Sequence, residues 1–535
     1  MQGHLALFES NVYDIFLKSD IFSPQTCEIL NEVNETRLDY LPLHSHKSQF
    51  IKPIIAVVGS GEVTEDFLRE LVESKQNPAF KYFSELEIFN VLPQSFVGLN
   101  GNFGNFKLLY TESSAQKPLV LEVSQVVFFT KFESVASIKG VHWVSEYANA
   151  DALINALHGN CGVYSYEAPI VFSPNLCDFQ HRRAKSDGSG YCSACVSTCA
   201  TRGIFSDMKK MEILLSPLDC VACGECVSVC PTGALMRESE SLLSLTSQAR
   251  VCKGFSLIVH TESASAQVLQ ALAKNTNEGA NKGALPFVMG QPHILNETYL
   301  LSLVQESAST LILYGEINAH MAESIKAVNA LSQAIFGKSC ILLASSESEL
   351  DSALLQIEPL EQAHYIYTPR ENEGLKEVFS QRAFAWVRGN DFGRIHMPRS
   401  GNVLIDSQGC TLCLSCVEAC KTKALINNTS SFELLFKQSL CTGCNYCADA
   451  CAEKVIKIES SVLDVKASSF AYETKAQDEP FKCVECGKIF ATSKSIARIK
   501  ELLSSAFAGD SMKQKSIECC ADCKVKIIFA PKEHS

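Results

Sequence analysis

The chain has 535 residues, 46% of them apolar and 20% charged, a globular composition too long for one core, so roughly three to five units are expected. A formal charge of −12 argues against nucleic acid as a partner, and no run of about eighteen consecutive apolar residues offers a membrane span. The outlying number is 25 cysteines. Most are spaced at gaps of two and three residues, and the opening MQGHLALFESNVYDIFLKSD has neither a basic start nor a long apolar run. Metal ligands kept reduced in a cytoplasm are therefore expected, not disulfides.

Residues 1–170 read as an N-terminal α/β domain. IKPIIAVVGSGEVTEDFLRELVES (51–74) predicts a strand, a turn and a helix. Gly59 and Gly61 match the first two glycines of a dinucleotide loop, but Thr64 stands where the third belongs, so the signal is weak. LEIFNVL and PLVLEVSQVVFFT supply further strands, and GLNGNFGNF reads as a hairpin or loop. Cys27 and Cys161 are isolated and read as structural thiols.

Residues 171–240 and 371–475 carry the cysteine runs. CTLCLSCVEAC (410–420) and CTGCNYCADAC (441–451) are complete C-x2-C-x2-C-x3-C runs, and DCVACGECVSVCPTGAL (219–235) contains a third. This is the spacing of bacterial two-cluster ferredoxins, in which three thiolates on a tight loop serve one cubane and the fourth serves its neighbour. Adding 221 to Cys192, Cys195, Cys199, Cys220, Cys223, Cys226 and Cys230 gives Cys413, Cys416, Cys420, Cys441, Cys444, Cys447 and Cys451 with no gap. The mismatch is Ser189 against Cys410. A serine hydroxyl is a poor iron ligand, because its pKa is far too high. Cys177 is the expected substitute, with fourteen residues between it and Cys192 that include HRRAKSDGSG, read as a flexible loop. Cys161 is the second candidate, and a three-ligand or absent cluster is the remaining alternative.

Crosswise assignment gives four [4Fe–4S] clusters. Cys177, Cys192, Cys195 and Cys230 would hold the first, and Cys220, Cys223, Cys226 and Cys199 the second. Cys410, Cys413, Cys416 and Cys451 would hold the third, and Cys441, Cys444, Cys447 and Cys420 the fourth. Ile204, Leu235, Leu425 and Ile456 each follow the last cysteine of a run by five positions and are expected to shield a cluster. Lys421, beside Cys420, would raise the potential of the fourth cluster slightly.

Residues 241–370 alternate between strand-like and helix-like segments, from FSLIVHT through LPFVMG and TLILYGE to SCILLASS. That pattern predicts a parallel sheet covered by helices, inserted between the two modules. Residues 476–535 form a zinc-ribbon-like tail. Its C-x2-C pairs make Cys483, Cys486, Cys520 and Cys523 a tetrahedral site for Zn2+ or mononuclear iron, with Cys519 a competitor of Cys520. TSKSIARIKELLSSAFAG between the pairs predicts an amphipathic helix with Ile496, Ile499 and Leu503 on one face. From Phe481 onward the tail carries ten Lys/Arg against six Asp/Glu, read as a solvated surface or a docking tail.

The fold class expected is therefore α/β plus α+β, multidomain, with parallel-sheet α/β domains and two bacterial-type dicluster ferredoxin modules. The chain resembles the bacterial multi-cluster, polyferredoxin-like 4Fe–4S binding proteins in its GNFGNF region, its split first motif ending YCSACVSTC, its α/β insert, its second dicluster and its closing PFKCVECGKIFATS and CADCKV. The resemblance implies Cys177 as the displaced ligand, a C-terminal four-cysteine site and association with formate dehydrogenase systems. The expected function is electron transfer, as an adaptor between a redox enzyme and a carrier, without turnover of its own. Two alternatives are a flavin- or nicotinamide-binding oxidoreductase subunit and a maturation factor for a metalloenzyme.

Overall fold

The computed structural model describes residues 11–42, 46–112, 117–135, 138–277, 283–370 and 372–528. The first ten residues, part of the opening stretch read above, lie outside them. Among the described residues no helix is long and apolar enough to cross a membrane.

Strand Ile54–Val58 runs parallel to Glu87–Val91 on one side and Gln125–Phe128 on the other, with Val141–Trp143 beyond the latter. Both faces of this sheet are covered, which is why its central strand is a continuous apolar run. Ile55, Val57 and Val127 pack with Phe67 and Leu71 of helix Glu62–Glu73 and with Leu153 and Leu157 of helix Ala150–Gly159. Ala56, Val58 and Val126 pack with Phe106 and Leu108 of an antiparallel meander, Phe96–Asn102, Asn105–Tyr110 and Leu119–Val123. GLNGNFGNF is a hairpin closed at Asn102 and Asn105. Its turn residue Phe103 is buried and donates its N–H to Asp219 Oδ1 (3.2 Å), next to Cys220. At the partial glycine motif, a Cβ on Gly59 would meet Thr64 at 2.6 Å, and Glu62 and Glu65 open the helix. That loop is filled by its own threonine, and two acidic residues in the first turn disfavour a bound pyrophosphate.

Between the cysteine runs, four parallel strands stand in the order Ala284–Met289, Ser256–Thr261, Leu311–Tyr314, Ile341–Ala344. Helices Ser265–Asn277, Glu297–Ser307, Ala319–Phe336 and Glu347–Leu354 follow the strands in turn, as the alternation predicts. Asn296, Asn318 and Ser346 cap the last three, each accepting a backbone N–H in the first turn.

This core recruits segments from outside 241–370. Helix Leu375–Val387, beyond the boundary expected at 371, places Arg382 on Glu306 (2.8 Å), both fully buried. Tyr13, Leu30 and Val33 join the same core, and the Tyr13 hydroxyl accepts the Val288 N–H (3.1 Å). These N-terminal residues therefore pack on the insert and not on the N-terminal sheet.

Around the first cysteine runs, Ile170–Phe172 pairs antiparallel with Leu235–Arg237, and Ile204–Asp207 with Glu212–Leu215. The same pieces recur 221 residues later. The pair Ile204 and Leu215 becomes Leu425 and Phe436, and helix Ala194–Thr198 becomes Ser415–Ala419. Leu235 lies opposite Phe172 and Ile456 opposite Ile405, and Ile204, Leu235, Leu425 and Ile456 are all buried. The later strand pair is much longer, Asp391–Ile405 against Ile456–Lys466. It is held to the insert by Arg399 on Glu297 (2.5 Å) and by Lys376 Nζ on Ser400 Oγ (2.7 Å).

The tail forms a hairpin, Pro480–Lys482 with Ile489–Thr492, then helices Ser493–Leu503, Ser511–Ile517 and Ala521–Ile528. In the first helix Ile496 is buried, but Ile499 is 41% exposed, so the expected apolar face is covered only in part. The tail docks on the second cysteine-rich stretch. Thr492 Oγ1 donates to Thr411 O (3.2 Å), Lys494 Nζ to Ser407 O (2.8 Å), and Arg498 pairs with Glu453 (3.0 Å).

Candidate metal centres

The tight loops of the runs 220–230 and 441–451 have the same build. Ala222 and Gly443 hold positive φ values of 58° and 70°, as do Gly224 and Asn445 two residues on. The left-handed turns aim backbone N–H groups at sulfur: Ala222 N–H donates to Cys220 Sγ and Gly443 N–H to Cys441 Sγ, both at 3.4 Å. Such bonds favour the thiolate, which is the form that ligates metal.

The buried thiols gather in groups that can be read from what perturbs each one. Burial pushes Cys192 up to about 12, with Asp178, Cys230 and Cys177 adding to the effect. Cys195 is raised by burial and then by Cys230, Cys192 and Cys177. Cys177 is raised by burial and Cys230, while the N–H groups of Phe179 and Gln180 and the nearby Lys421 act the other way. Cys161, the second candidate for the missing ligand, lies in the core of the N-terminal sheet, between Leu157 O and the Gln125 amide at 3.3 Å each. Ser189 is exposed in a turn, its N–H on Asp187.

The other groups follow the same logic. Cys226 is raised by burial and by Cys220, Cys223, Cys195 and Cys199. Burial pushes Cys416 up to about 12, with Cys410, Cys413 and Cys451 adding. It does the same to Cys441, with Cys420 and Cys444 adding. Cys447 is raised by burial, then by Cys441, Cys444, Cys420 and Cys416. Four thiolates crowded out of water repel one another, and each proton loss makes the next harder. A multivalent iron core removes that penalty, so the donor chemistry of each group fits a cluster. Cys413 is the exposed member.

In the tail, the sulfurs of Cys483, Cys486, Cys520 and Cys523 lie within 4.8 Å of one another, and Cys486 and Cys520 stand 3.6 Å apart. Metal–sulfur bonds of about 2.3 Å put tetrahedral sulfurs about 3.8 Å apart, so this group fits a single ion. Burial raises the Cys483 thiol, but N–H groups of Cys520, Cys486 and Glu485 overcome that and bring it down to about 6. Cys519 donates instead to Lys515 O (3.4 Å) and stands outside the set.

Three features were not anticipated from the chain. Thr201, Thr232 and Thr422, each two residues past the fourth cysteine of a run, place their hydroxyls 3.7 Å from Cys199, Cys230 and Cys420. The repeated C-x-T was the available signal. Lys421 Nζ turns toward Cys177 O (2.8 Å), so its charge sits between the first and fourth groups instead of serving the fourth alone. Lastly, a cavity of about 1070 Å3 opens at the carboxyl ends of strands Ser256–Thr261 and Ala284–Met289, with Tyr164, Tyr166, Cys220 and Gln248 in its wall. Glu240 accepts the Gly290 and Gln291 N–H groups there (2.6 and 3.2 Å). Gln248 Oε1 is buried with no hydrogen-bond partner among the described residues.

Residues 191–234 match the family described as 4Fe-4S dicluster domain. The chain thus carries a ferredoxin-type dicluster domain, and the match spans Cys192 through Cys230 while leaving Cys177 outside it. No curated protein matches the chain. Iron–sulfur binding by this domain, together with the other cysteine-rich regions, is consistent with electron transfer.

Proposed function

We propose that the protein transfers electrons through four [4Fe–4S] clusters held by two dicluster modules, as a cytoplasmic adaptor between a redox enzyme and a carrier. The observation that carries this reading is the recurrence of seven cysteines at an offset of 221 residues, with strand pairs in matching register around them. Cys177 completes the first set where Ser189 cannot. When bound, the clusters store single electrons at potentials set by charge, hydrogen bonds and solvent. The chain buries the thiolates, aims N–H and hydroxyl donors at their sulfurs, and leaves Cys413 exposed as the point nearest a partner. The tail group holds Zn2+ or a mononuclear iron. The family resemblance points to a formate dehydrogenase system as the enzyme partner.

Iron and sulfide content with EPR on anaerobically purified protein tests this. About sixteen irons are expected in the parent and about four fewer in Cys177→Ala. About twelve in the parent, unchanged by the substitution, would refute the four-cluster reading.

The cavity beside Cys220 favours a second reading, an oxidoreductase subunit. It opens at the carboxyl ends of two parallel strands, the edge at which open α/β sheets bind ligands. Flavin absorbance in the purified protein, or saturable binding of flavin mononucleotide or NADH, would support it. A colourless cavity that binds neither would remove it.

A further inference from the structure

Of the fourteen residues between Cys177 and Cys192, Asp178, Phe179, Gln180 and Arg182 are buried while 183, 184 and 186–189 are exposed. The buried ones, with Tyr191, form a seam between the two cysteine-rich stretches. Arg182 is 4% exposed and Asp178 3%. The guanidinium donates through Nη1 to Cys444 Sγ (3.2 Å) and through Nη2 to Asp178 Oδ1 (2.9 Å) and Ala419 O (3.2 Å). It also lies 4.7 Å from the ring centre of Tyr446. The other Asp178 oxygen accepts from Thr442 Oγ1 (2.8 Å). Lys421, next to Cys420, reaches back to Cys177 O (2.8 Å). Tyr191 donates to Asp449 Oδ2 (2.7 Å) and packs its ring 4.5 Å from that of Tyr446. Every residue named here either adjoins a cysteine of the first or fourth set or touches one that does.

We propose that Arg182 is a positioning residue for the Cys444 thiolate, and that the displacement of the first ligand to Cys177 is what frees the intervening segment to lock the two modules into one unit. The proposal rests on the reading of Cys444 as a cluster ligand. Two cations, Arg182 and Lys421, face one carboxylate, Asp178, in this buried seam. The surplus positive charge is balanced by thiolates on the Cys444 side. A charge-assisted N–H···S bond in a low-dielectric seam stabilises the more negative, reduced state of whatever Cys444 ligates, and so raises its potential. Loss of the guanidinium lowers it.

The test is an EPR-monitored redox titration of the anaerobic full-length chain as parent, Arg182→Gln, Arg182→Lys and Cys444→Ala. Expected for Arg182→Gln is unchanged iron and sulfide, with one signal whose reduced-to-oxidised ratio at fixed potential falls about tenfold, about 59 mV for one electron. Arg182→Lys, which keeps the charge, should recover part of the shift. The shifted signal should be the one absent from Cys444→Ala. If Arg182→Gln loses iron, Arg182→Lys decides: retained iron with a smaller shift of that same signal supports the proposal, and an unmoved signal overturns it. Full iron and unmoved potentials in Arg182→Gln overturn it directly. A Cys444→Ala variant that keeps all its iron overturns the ligand reading, and the proposal falls with it.

Discussion

The two cysteine-rich stretches share a strand register and seven of their eight expected ligands, yet they solve the first-ligand position differently. In the later stretch Cys410 precedes Cys413 by one tight turn, with Cys410 and Cys416 buried beside Cys451. In the earlier stretch the corresponding thiol is, on our proposal, that of Cys177, and Asp178, Arg182 and Tyr191 of the intervening segment contact the other stretch. The later stretch uses its own surplus, the long strand Asp391–Ile405, to grip the insert through Arg399 and Ser400. The lesson is that the ligand loops repeat while the additions beside them differ. Each addition builds one interface.

The sharpest way to break this comparison is to remove the matching ligands. Cys177→Ala and Cys410→Ala should each lose about four irons. Adding Ser189→Cys to Cys177→Ala should not restore them, because residue 189 lies exposed in a turn. Iron recovery in that double variant would show that the loop can collapse to the shorter geometry and that the seam is dispensable.

The tail offers a smaller contrast. Cys520→Ala should lose one metal ion by elemental analysis, while Cys519→Ala keeps it, since the Cys519 thiol points to Lys515 O. Equal loss from both would mean the two neighbours exchange as ligands.

The two parallel sheets can be compared by acid. Burial lowers His142 in the N-terminal sheet and His260 in the insert to about 4 each. Both fold neutral, so the unfolded chain binds more protons between its ordinary value near 6.5 and about 4. Their stabilisation is complete above about 6.5 and is lost as pH falls through that window, by about 2 kcal/mol per histidine at pH 5. Amide exchange of each sheet at pH 7 and 5 reads this, and His142→Gln or His260→Gln should flatten the response of its own sheet.

The finest contrast lies in the hydroxyls beside Cys199, Cys230 and Cys420, which Cys451 lacks because Glu453 stands at the matching position. Thr232→Val should lower one cluster signal by about threefold in its reduced-to-oxidised ratio, roughly 30 mV. An unmoved signal would make those 3.7 Å contacts incidental.

Much of this molecule was legible in the chain. The strand–helix alternation of 241–370 appears in the structure pair by pair, because its strands are short, mostly buried apolar runs and three of its four helices carry a side-chain cap. The tail quartet was legible because C-x2-C knuckles are local. The boundaries were less so. Tyr13 and Arg382 lie far in sequence from the insert core they complete, and nothing in their local pattern names that destination.

By itself the sequence determined where cysteines stand on tight loops, since two- and three-residue gaps dictate backbone turns at short range. It also exposed the vacancy at Ser189 and the offset of 221 residues that made it visible. Only the tertiary structure decided that Cys177 and not Cys161 stands beside Cys192, Cys195 and Cys230. It alone buried Arg182 of HRRAKSDGSG at a seam while leaving most of that segment exposed. The physical reason is that a charge such as Arg182 reads as solvent-facing from its neighbours in sequence, and becomes a buried contact only when Cys444 and Tyr446, far along the chain, supply the sulfur and the ring it requires.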